Sequence, residues 1–566
     1  MELSYGLLQR RRAGLMFMIM TVILIALCGR LAWLQLVLGP GLRERALEVR
    51  LRDVPVEAKR GTIYDRQGRE LAVSIDVDSV FAIPTQVRDK EGTAANLAAI
   101  LNMDRDWILE RLMRQESFTW IKRKIEADQA AQIRELRMQG IDLTQESRRV
   151  YPKGQLAAHV IGFAGIDSQG LEGIEVQYDS WLRGVPGRIS IEYDARGEEI
   201  PQAVHRYFPP TDGLSLVLTI DETIQYICER ELETAMVGSG AKSGTVIAMD
   251  PNTGEILGLA NYPTYDPNNY QAYPAASRRN YAVADTFTPG STFKPITAAG
   301  ALEDGLISWN NRFFCGGSLL ISGHTIRCHR TGGHGSQTLM EVIENSCNVG
   351  FMTIGMKLGI ERLYDYVETF GLTSKTGIDL PGEAQGIIIP RAKAKVLDLA
   401  VMSFGQSLTV TPLQLITAIS AIANGGTVLQ PHIAKELRTA DGALVQSFAS
   451  KKETKVIAEQ TARELSEALE SVVENGTGKR AYIEGYELAG KTGTSQKTVA
   501  GRVSSEFHVA SFVGFGPARD PQVALLVVID EPVGAYYGGQ LAAPVFSNVM
   551  RDVYRYLGIP VLLPTQ

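Results

Sequence analysis

The chain has 566 residues, 45% of them apolar, and a formal net charge of -6. That is several domains' worth of material with enough apolar side chains to bury sizeable cores, which excludes a disordered or fibrous protein. The small negative charge, with no basic stripe interleaved with aromatics, excludes a nucleic-acid partner.

From Ala13 to Gly29 the sequence is almost wholly apolar, and after Arg30 the run resumes to Leu38. One helix of that length can cross a bilayer. Arg30 and Trp33 suit its interface. The run is long for a secretory signal, and no small-x-small cleavage site follows it. Residues 13–38 are therefore predicted as a transmembrane helix behind a cytoplasmic tail of residues 1–12. Arginines flank both ends, Arg10 to Arg12 before and Arg43, Arg45, Arg50 and Arg52 after, so charge bias alone does not set the orientation. The chemistry argued below favours everything after Leu38 lying outside the cytoplasmic membrane.

Residues 45–205 alternate short β-like runs with helical patterns such as Thr93 to Leu101 and Asp128 to Arg137, and read as a non-catalytic pedestal. A turn-rich boundary at Pro209 to Gly213 leads into a second domain, residues 210–560. It opens with a strand over Leu214 to Ile220 and a helix over Glu222 to Met236. Gly244 to Met249 and Ile256 to Ala260 read as a hairpin across Asp250 to Glu255. His508 to Gly516 and Val523 to Ile529 read as another antiparallel pair. Helices are predicted between, over Leu339 to Ile343, Phe351 to Leu358, Pro412 to Ala423 and Thr461 to Val473. Strands at both ends with helices between them imply an α+β domain with a mainly antiparallel sheet.

Cysteine is scarce: Cys28, Cys228, Cys315, Cys328 and Cys347. Cys315 and Cys328 flank a hairpin-like stretch and could pair. His324, His329 and His334 invite a zinc reading of the same loop, but the spacing matches no familiar ligand pattern, so it reads as a surface hairpin. No metal ligand set and no cofactor is assigned.

Three short motifs carry chemistry. In Thr288-Pro-Gly-Ser-Thr-Phe-Lys-Pro295 the Pro-Gly turn opens a helix, and Lys294, three residues after Ser291, falls on the same face. A serine hydroxyl is a weak nucleophile without a neighbouring base, and a desolvated lysine can serve as one. In Glu344-Asn-Ser-Cys-Asn-Val-Gly350, Ser346 could pass a proton between Lys294 and a leaving amine, with Asn348 bonding Lys294 and a substrate amide. In Ala489-Gly-Lys-Thr-Gly-Thr-Ser495, Lys491 supplies positive charge and Thr492 and Thr494 hydroxyls for a carboxylate. Gly493 allows close backbone approach to a ligand. The N–H groups of Ser291 and Thr494 could form an oxyanion hole. Each motif alone is weak, and the chain carries a second copy of each. Ser239-Gly-Ala-Lys242 reads as a solvated loop, Ser308-Trp-Asn310 as a helix cap or turn, and Lys375-Thr-Gly377 as a loop. All three together in this order supply the nucleophile, relay, anion clamp and oxyanion site of an acyl transfer.

With these residues the chain resembles the class B penicillin-binding proteins, most closely the division-specific type. Arg60-Gly-Thr-Ile-Tyr-Asp-Arg-Gln-Gly68, Arg149-Val-Tyr-Pro152 and Gly170-Leu-Glu-Gly-Ile-Glu175 look like that family's pedestal signatures. Leu218-Thr-Ile-Asp-Glu-Thr-Ile-Gln225 looks like the start of its transpeptidase domain, and Ile166 to Gly170 and Tyr536 to Phe546 are similar to septal enzymes. The resemblance implies one N-terminal transmembrane helix, an elongated dimerisation-like pedestal, and a serine β-lactamase-like transpeptidase domain. It implies that Ser291 attacks the penultimate D-Ala of peptidoglycan stem peptides ending in D-Ala-D-Ala, and that β-lactams acylate the same serine. It also implies partners: a membrane glycosyltransferase of the SEDS class (FtsW-like) that polymerises the glycan, and other divisome membrane proteins. A sporulation-septum enzyme of the same class, a serine β-lactamase and a β-lactam sensor are the alternatives. A lactamase needs a general-base carboxylate for its deacylating water, and none is placed by the sequence.

Overall fold

The computed structural model describes residues 2–116, 118–192, 206–499 and 502–561. Met1 of the predicted tail, residues 193–205 at the end of the predicted pedestal, and residues 500–501 of the second domain lie outside the described residues.

The N-terminal helix runs over Glu2–Ala32 and continues as a π-helical turn, Trp33–Val37. Across Leu8–Val37 the hydropathy reaches 2.3 and no residue is buried. Thirty residues at the α-helical rise make about 45 Å, more than the roughly 30 Å of a bilayer's hydrocarbon core. Among the described residues this is the one helix long and apolar enough to cross a membrane.

The chain divides into two compact units. The first comprises Met1–Ala58, Val77–Glu146 and Val185–Thr211; the second comprises Lys59–Asp76, Ser147–Gly184 and Asp212–Gln566. In the first, helices over Lys90–Leu101, Arg105–Met113 and Ala127–Leu136 close on the strand Thr119–Lys122. Leu97, Leu101, Ile108, Leu112, Ile121 and Ile133 form the core. The first two helices begin where aspartates cap them: the Asp89 and Asp104 carboxylates accept from the N–H groups of Gly92 and Trp107, at 2.9 and 2.8 Å.

In the second unit the three stretches that look like pedestal signatures meet in one buried ion cluster. Arg60 Nε lies 2.6 Å from Glu175 Oε2 and Arg60 Nη1 2.6 Å from Asp179 Oδ1. Arg149 Nε lies 2.6 Å from Glu175 Oε1, and the Tyr151 hydroxyl donates to the same oxygen at 3.2 Å.

The centre of this unit is a five-stranded sheet: β1 (Ser243–Met249), β2 (Ile256–Tyr262), β3 (Ala489–Val499), β4 (Arg502–Gly516) and β5 (Val523–Asp530). The order is β2-β1-β5-β4-β3, with every neighbouring pair antiparallel. Helices α1 (Glu222–Ser239), α2 (Lys294–Glu303), α3 (Asn348–Thr369), α4 (Pro412–Ala423) and α5 (Gly538–Leu557) surround it. Alternate strand residues enter opposite cores, as a period of two requires. Val246, Ala248, Leu525 and Val527 pack with Ile224 of α1 and Phe546 of α5. Ile247, Met249, Leu526 and Val528 pack with Ile416 and Ile419 of α4. With both faces covered, 246–249 of β1 and 523–529 of β5 read as unbroken apolar runs rather than alternating ones, as strands buried on both sides do. Every residue of α4 is buried, so its all-round apolar sequence makes it a core helix. Pro412 stands at its first position, and Thr411 and Gln414 close a capping box.

The hairpin predicted over 244–260 forms with one bulge. The predicted helices over 222–236, 412–423 and 461–473 form as Glu222–Ser239, Pro412–Ala423 and Glu459–Glu474.

Candidate active site

Ser291 sits on the 3-10 turn Gly290–Phe293, which runs directly into α2. Gly290 has φ of +57°, where a side chain would be strained, and a Cβ there would stand 3.2 Å from the Thr494 carbonyl oxygen. Lys294 opens α2 and is fully buried. Its Nζ donates to the Ser346 carbonyl oxygen at 2.6 Å, to Ser346 Oγ at 3.0 Å and to Asn348 Oδ1 at 2.8 Å. An ammonium has three protons, and these acceptors account for all of them. Among the described residues no hydrogen bond joins Lys294 to Ser291 Oγ.

Ser346 lies in the break between the helix Leu339–Glu344 and α3, with φ of +51°. A non-glycine residue held there is strained, and such strain concentrates at functional sites. The neighbouring Cys347 is the N-cap of α3, its sulfur accepting from the Gly350 N–H at 3.3 Å.

The third motif lies on β3, the edge strand of the sheet. Ser495 Oγ donates to the Thr288 carbonyl oxygen at 2.7 Å, fastening β3 to the turn that carries Ser291. Thr492 Oγ1 donates to Thr477 Oγ1 at 3.1 Å, and Thr494 Oγ1 accepts from the Gly538 N–H at 3.0 Å. A Cβ on Gly493 would fall 2.3 Å from Ser511 Oγ, 2.9 Å from Thr292 Cγ2 and 3.0 Å from the Pro289 carbonyl oxygen. Glycine is thus required for β3 to lie against the Ser291 turn. Beside the closeness to a ligand expected from the sequence, the structure shows closeness between two parts of the chain itself.

All three motifs therefore converge: Lys294 joins the turn of Ser291 to Ser346 and Asn348, and β3 packs on the other side of the same turn. Lys491, 1% exposed, meets among the described residues only the Thr492 carbonyl oxygen, at a long 3.4 Å. Burial, and then the charge of Lys294, hold the Lys491 amine well below the ordinary lysine range. Burial likewise pushes Lys294 down to about 7, with Cys347 and Cys328 acting in the opposite direction. Two buried amines, the charge of Lys294 depressing Lys491, make a site that favours an anionic ligand. A carboxylate against Lys491 would restore its charged form.

The second copies of the motifs stay apart from this site. Ser239 ends α1 rather than lying in a solvated loop; it is buried, and its hydroxyl donates to the Ala235 carbonyl oxygen at 2.7 Å. Lys242 instead pairs with Glu531. Ser308 takes part in a turn through its N–H and Asn311 Oδ1. Thr376 is held by Glu383 in a loop. The roles of Ser495 and Thr288 as fasteners were missed by the motif reading, although both adjoin it; only the register of β3 on the turn reveals them.

Known proteins were compared with the chain. The family profile described as penicillin binding protein transpeptidase domain matches residues 244–551, and that described as penicillin-binding protein dimerisation domain matches residues 55–218. Stage V sporulation protein D of Bacillus subtilis (strain 168) is 40% identical over 559 residues, covering 97% of this chain and 86% of that protein. Peptidoglycan D,D-transpeptidase FtsI of Escherichia coli (strain K12) is 36% identical over 556 residues, covering 94% and 90%. Among solved structures, penicillin binding protein 3 of Mycobacterium tuberculosis complexed with ampicillin superposes with a TM-score of 0.71 at 27% identity, covering 91% of this chain and 98% of that one.

Proposed function

Because the chain belongs to the class B penicillin-binding proteins, we propose that it cross-links peptidoglycan as a serine D,D-transpeptidase whose nucleophile is Ser291. Neutral Lys294 takes the Ser291 proton as Oγ attacks the penultimate D-Ala carbonyl of a stem peptide. The N–H groups of Ser291 and Thr494 receive the oxyanion. The proton passes through Ser346 to the departing amine of the terminal D-Ala, leaving an acyl-enzyme. An amine of a second stem then attacks that ester, returning its proton by the reverse route and freeing Ser291. Lys491, with the hydroxyls of Thr492 and Thr494, holds the terminal carboxylate, and Asn348 orients Lys294 and the peptide amide. Gly493 keeps β3 on the Ser291 turn. β-Lactams enter as mimics of D-Ala-D-Ala and stall at the acyl stage.

The observation that carries this reading is the set of bonds from Lys294 to Ser346 and Asn348, on a turn that also supports the Lys491 strand. The test is to label the full chain in detergent with a fluorescent penicillin and map the adduct by peptide mass spectrometry. A lasting adduct on Ser291 is expected. Label on Ser239, or rapid return to unmodified protein as a β-lactamase would give, overturns the assignment.

The same reading takes residues 1–12 as a cytoplasmic tail, 13–38 as the span, and both 45–205 and 210–560 as lying outside the membrane, where the wall is built. Polymerisation of the glycan falls to a membrane glycosyltransferase of the FtsW-like class, engaged through the span and the pedestal with other divisome proteins. The similarity to a sporulation protein supports a second setting, a sporulation septum, for the same chemistry.

A further inference from the structure

The loop set aside in the sequence as a surface hairpin does form one, Ser318–Ile321 pairing with His324–Arg327. Its surroundings assemble something the spacing hides. Cys315 ends the strand Arg312–Cys315, Cys328 follows the hairpin, and His334 precedes the strand Gly335–Thr338. Backbone bonds fix this arrangement: the His334 N–H donates to the Cys315 carbonyl oxygen at 3.1 Å and the Cys328 N–H to that of Gly317 at 2.8 Å. The fourth member comes from the middle of the Ser346–Asn348 triplet. The Sγ atoms of Cys315, Cys328 and Cys347 and a ring nitrogen of His334 all lie within 4.8 Å of one another.

We propose that Cys315, Cys328, His334 and Cys347 bind one zinc ion. Tetrahedral bonds of about 2.3 Å to sulfur and 2.0 Å to nitrogen place ligand atoms roughly 3.5–3.8 Å apart. Cys328 Sγ is 3.7 Å from His334 Nδ1 and 3.9 Å from Cys347 Sγ. The remaining pairs, all within 4.8 Å, need to close by no more than about 1.3 Å to reach the same spacing. All five cysteines of the chain are free, and the three in this group are buried. Three thiolates and an imidazole form a soft set that selects zinc over magnesium or calcium. Four protein ligands leave no open position, so the site is structural, and each thiol releases its proton as the ion binds. The surroundings suit metal-bound sulfur: Cys347 Sγ accepts the Gly350 N–H, and the buried Gln337 amide nitrogen beside it has no hydrogen-bond partner among the described residues.

Such an ion ties the loop over 312–338 to the turn that holds Ser346 at positive φ and presents Ser346 and Asn348 to Lys294. That consequence rests on the transpeptidase reading; the metal site does not. The test uses the full chain, purified in detergent under reducing conditions, stripped with a chelator and titrated with cobalt(II). Expected are one cobalt per chain, the intense visible bands of tetrahedral cobalt with a thiolate charge-transfer band, and displacement of both by one equivalent of zinc. Cys315→Ser and His334→Ala each weaken the bands. Should either variant misfold, the wild-type titration decides alone. Cobalt without the thiolate band, a stoichiometry near zero, or a Cys328–Cys347 disulfide in chain isolated without reductant overturns the site. Zinc removal is expected to slow penicillin acylation about tenfold or more, with recovery on adding zinc back. Unchanged acylation in stripped protein disproves the coupling to Ser346, while the cobalt spectrum still reports the metal.

Discussion

Replacing Lys294 with methionine is expected to lower the second-order rate constant of penicillin acylation by roughly 100- to 10,000-fold, the range set by loss of a positioned general base. Methionine keeps the length and apolar stem of the buried side chain and removes only the amine. The wild-type rate should also rise with pH through about 7, since the proton acceptor is the neutral amine and burial has brought Lys294 to that value. At pH 7 about half of such amines are neutral, against about one in 3,000 for an ordinary lysine. Below pH 7 the rate should therefore fall about tenfold per unit, and above it level off. Among the described residues the titratable groups facing Lys294 are Lys491, Cys347 and Cys328, and none is a carboxylate that would hold it charged. A purely structural lysine would give no such pH profile. A Lys294→Met variant that acylates within about threefold of wild type, or a wild-type rate flat from pH 5 to 8, would remove Lys294 from the base role.

The chemistry of the site was legible because each motif is short and local. A Pro-Gly turn at 289–290 before a helix, a helix break at 345–347, and Lys491 to Thr494 ahead of a strand pair are all visible without tertiary information. The α+β architecture was legible for a related reason: the strands of the sheet lie at the two ends of its sequence span, with helices between them. What stayed hidden depends on register and packing. Nothing in Ala489 to Ser495 says that Gly493 also abuts Thr292 and Pro289 of the Ser291 turn. Ser239 looked solvated because glycines follow it, yet α1 extends to include it and Gly240 ends the helix in a left-handed conformation. The cysteine and histidine cluster was missed because three members lie within twenty residues while the fourth, Cys347, stood inside a motif already given another meaning. The turn at 209–213 was visible, but Lys59–Asp76 and Ser147–Gly184, tied to each other by the ion cluster of Arg60 and Glu175, join Asp212–Gln566 through side chains such as Tyr178 on Asp379. Their mutual attraction across more than a hundred residues leaves no local trace.

That ion cluster is where a single substitution should cost most in stability. Glu175 is fully buried between Arg60 and Arg149. Burial alone would push its carboxyl up, but Arg149 and Arg60 more than reverse this and leave it below the usual carboxylate range. Glu175→Ala takes the carboxylate from buried Arg149 and leaves buried Arg60 with Asp179 alone, and breaking such a buried pair typically costs about 3–5 kcal/mol. Replacing all three residues with methionine removes the buried charges together and should cost less than the single change, because the charge left without its partner, Asp179, is partly exposed. The pH dependence follows from the direction of the shift. A carboxyl whose folded value is depressed contributes stability above its unfolded value, near 4.3, and loses that contribution as pH falls through the folded one. The gap between wild type and Glu175→Ala should therefore be full at neutral pH and narrow below about pH 4. Hydrogen exchange in the helix Gly173–Gln177, measured on the full chain, reads this locally. A gap at pH 7 under about 1 kcal/mol, or a triple variant less stable than the single one, would mean that the cluster's charges contribute little and that packing around it holds these segments together.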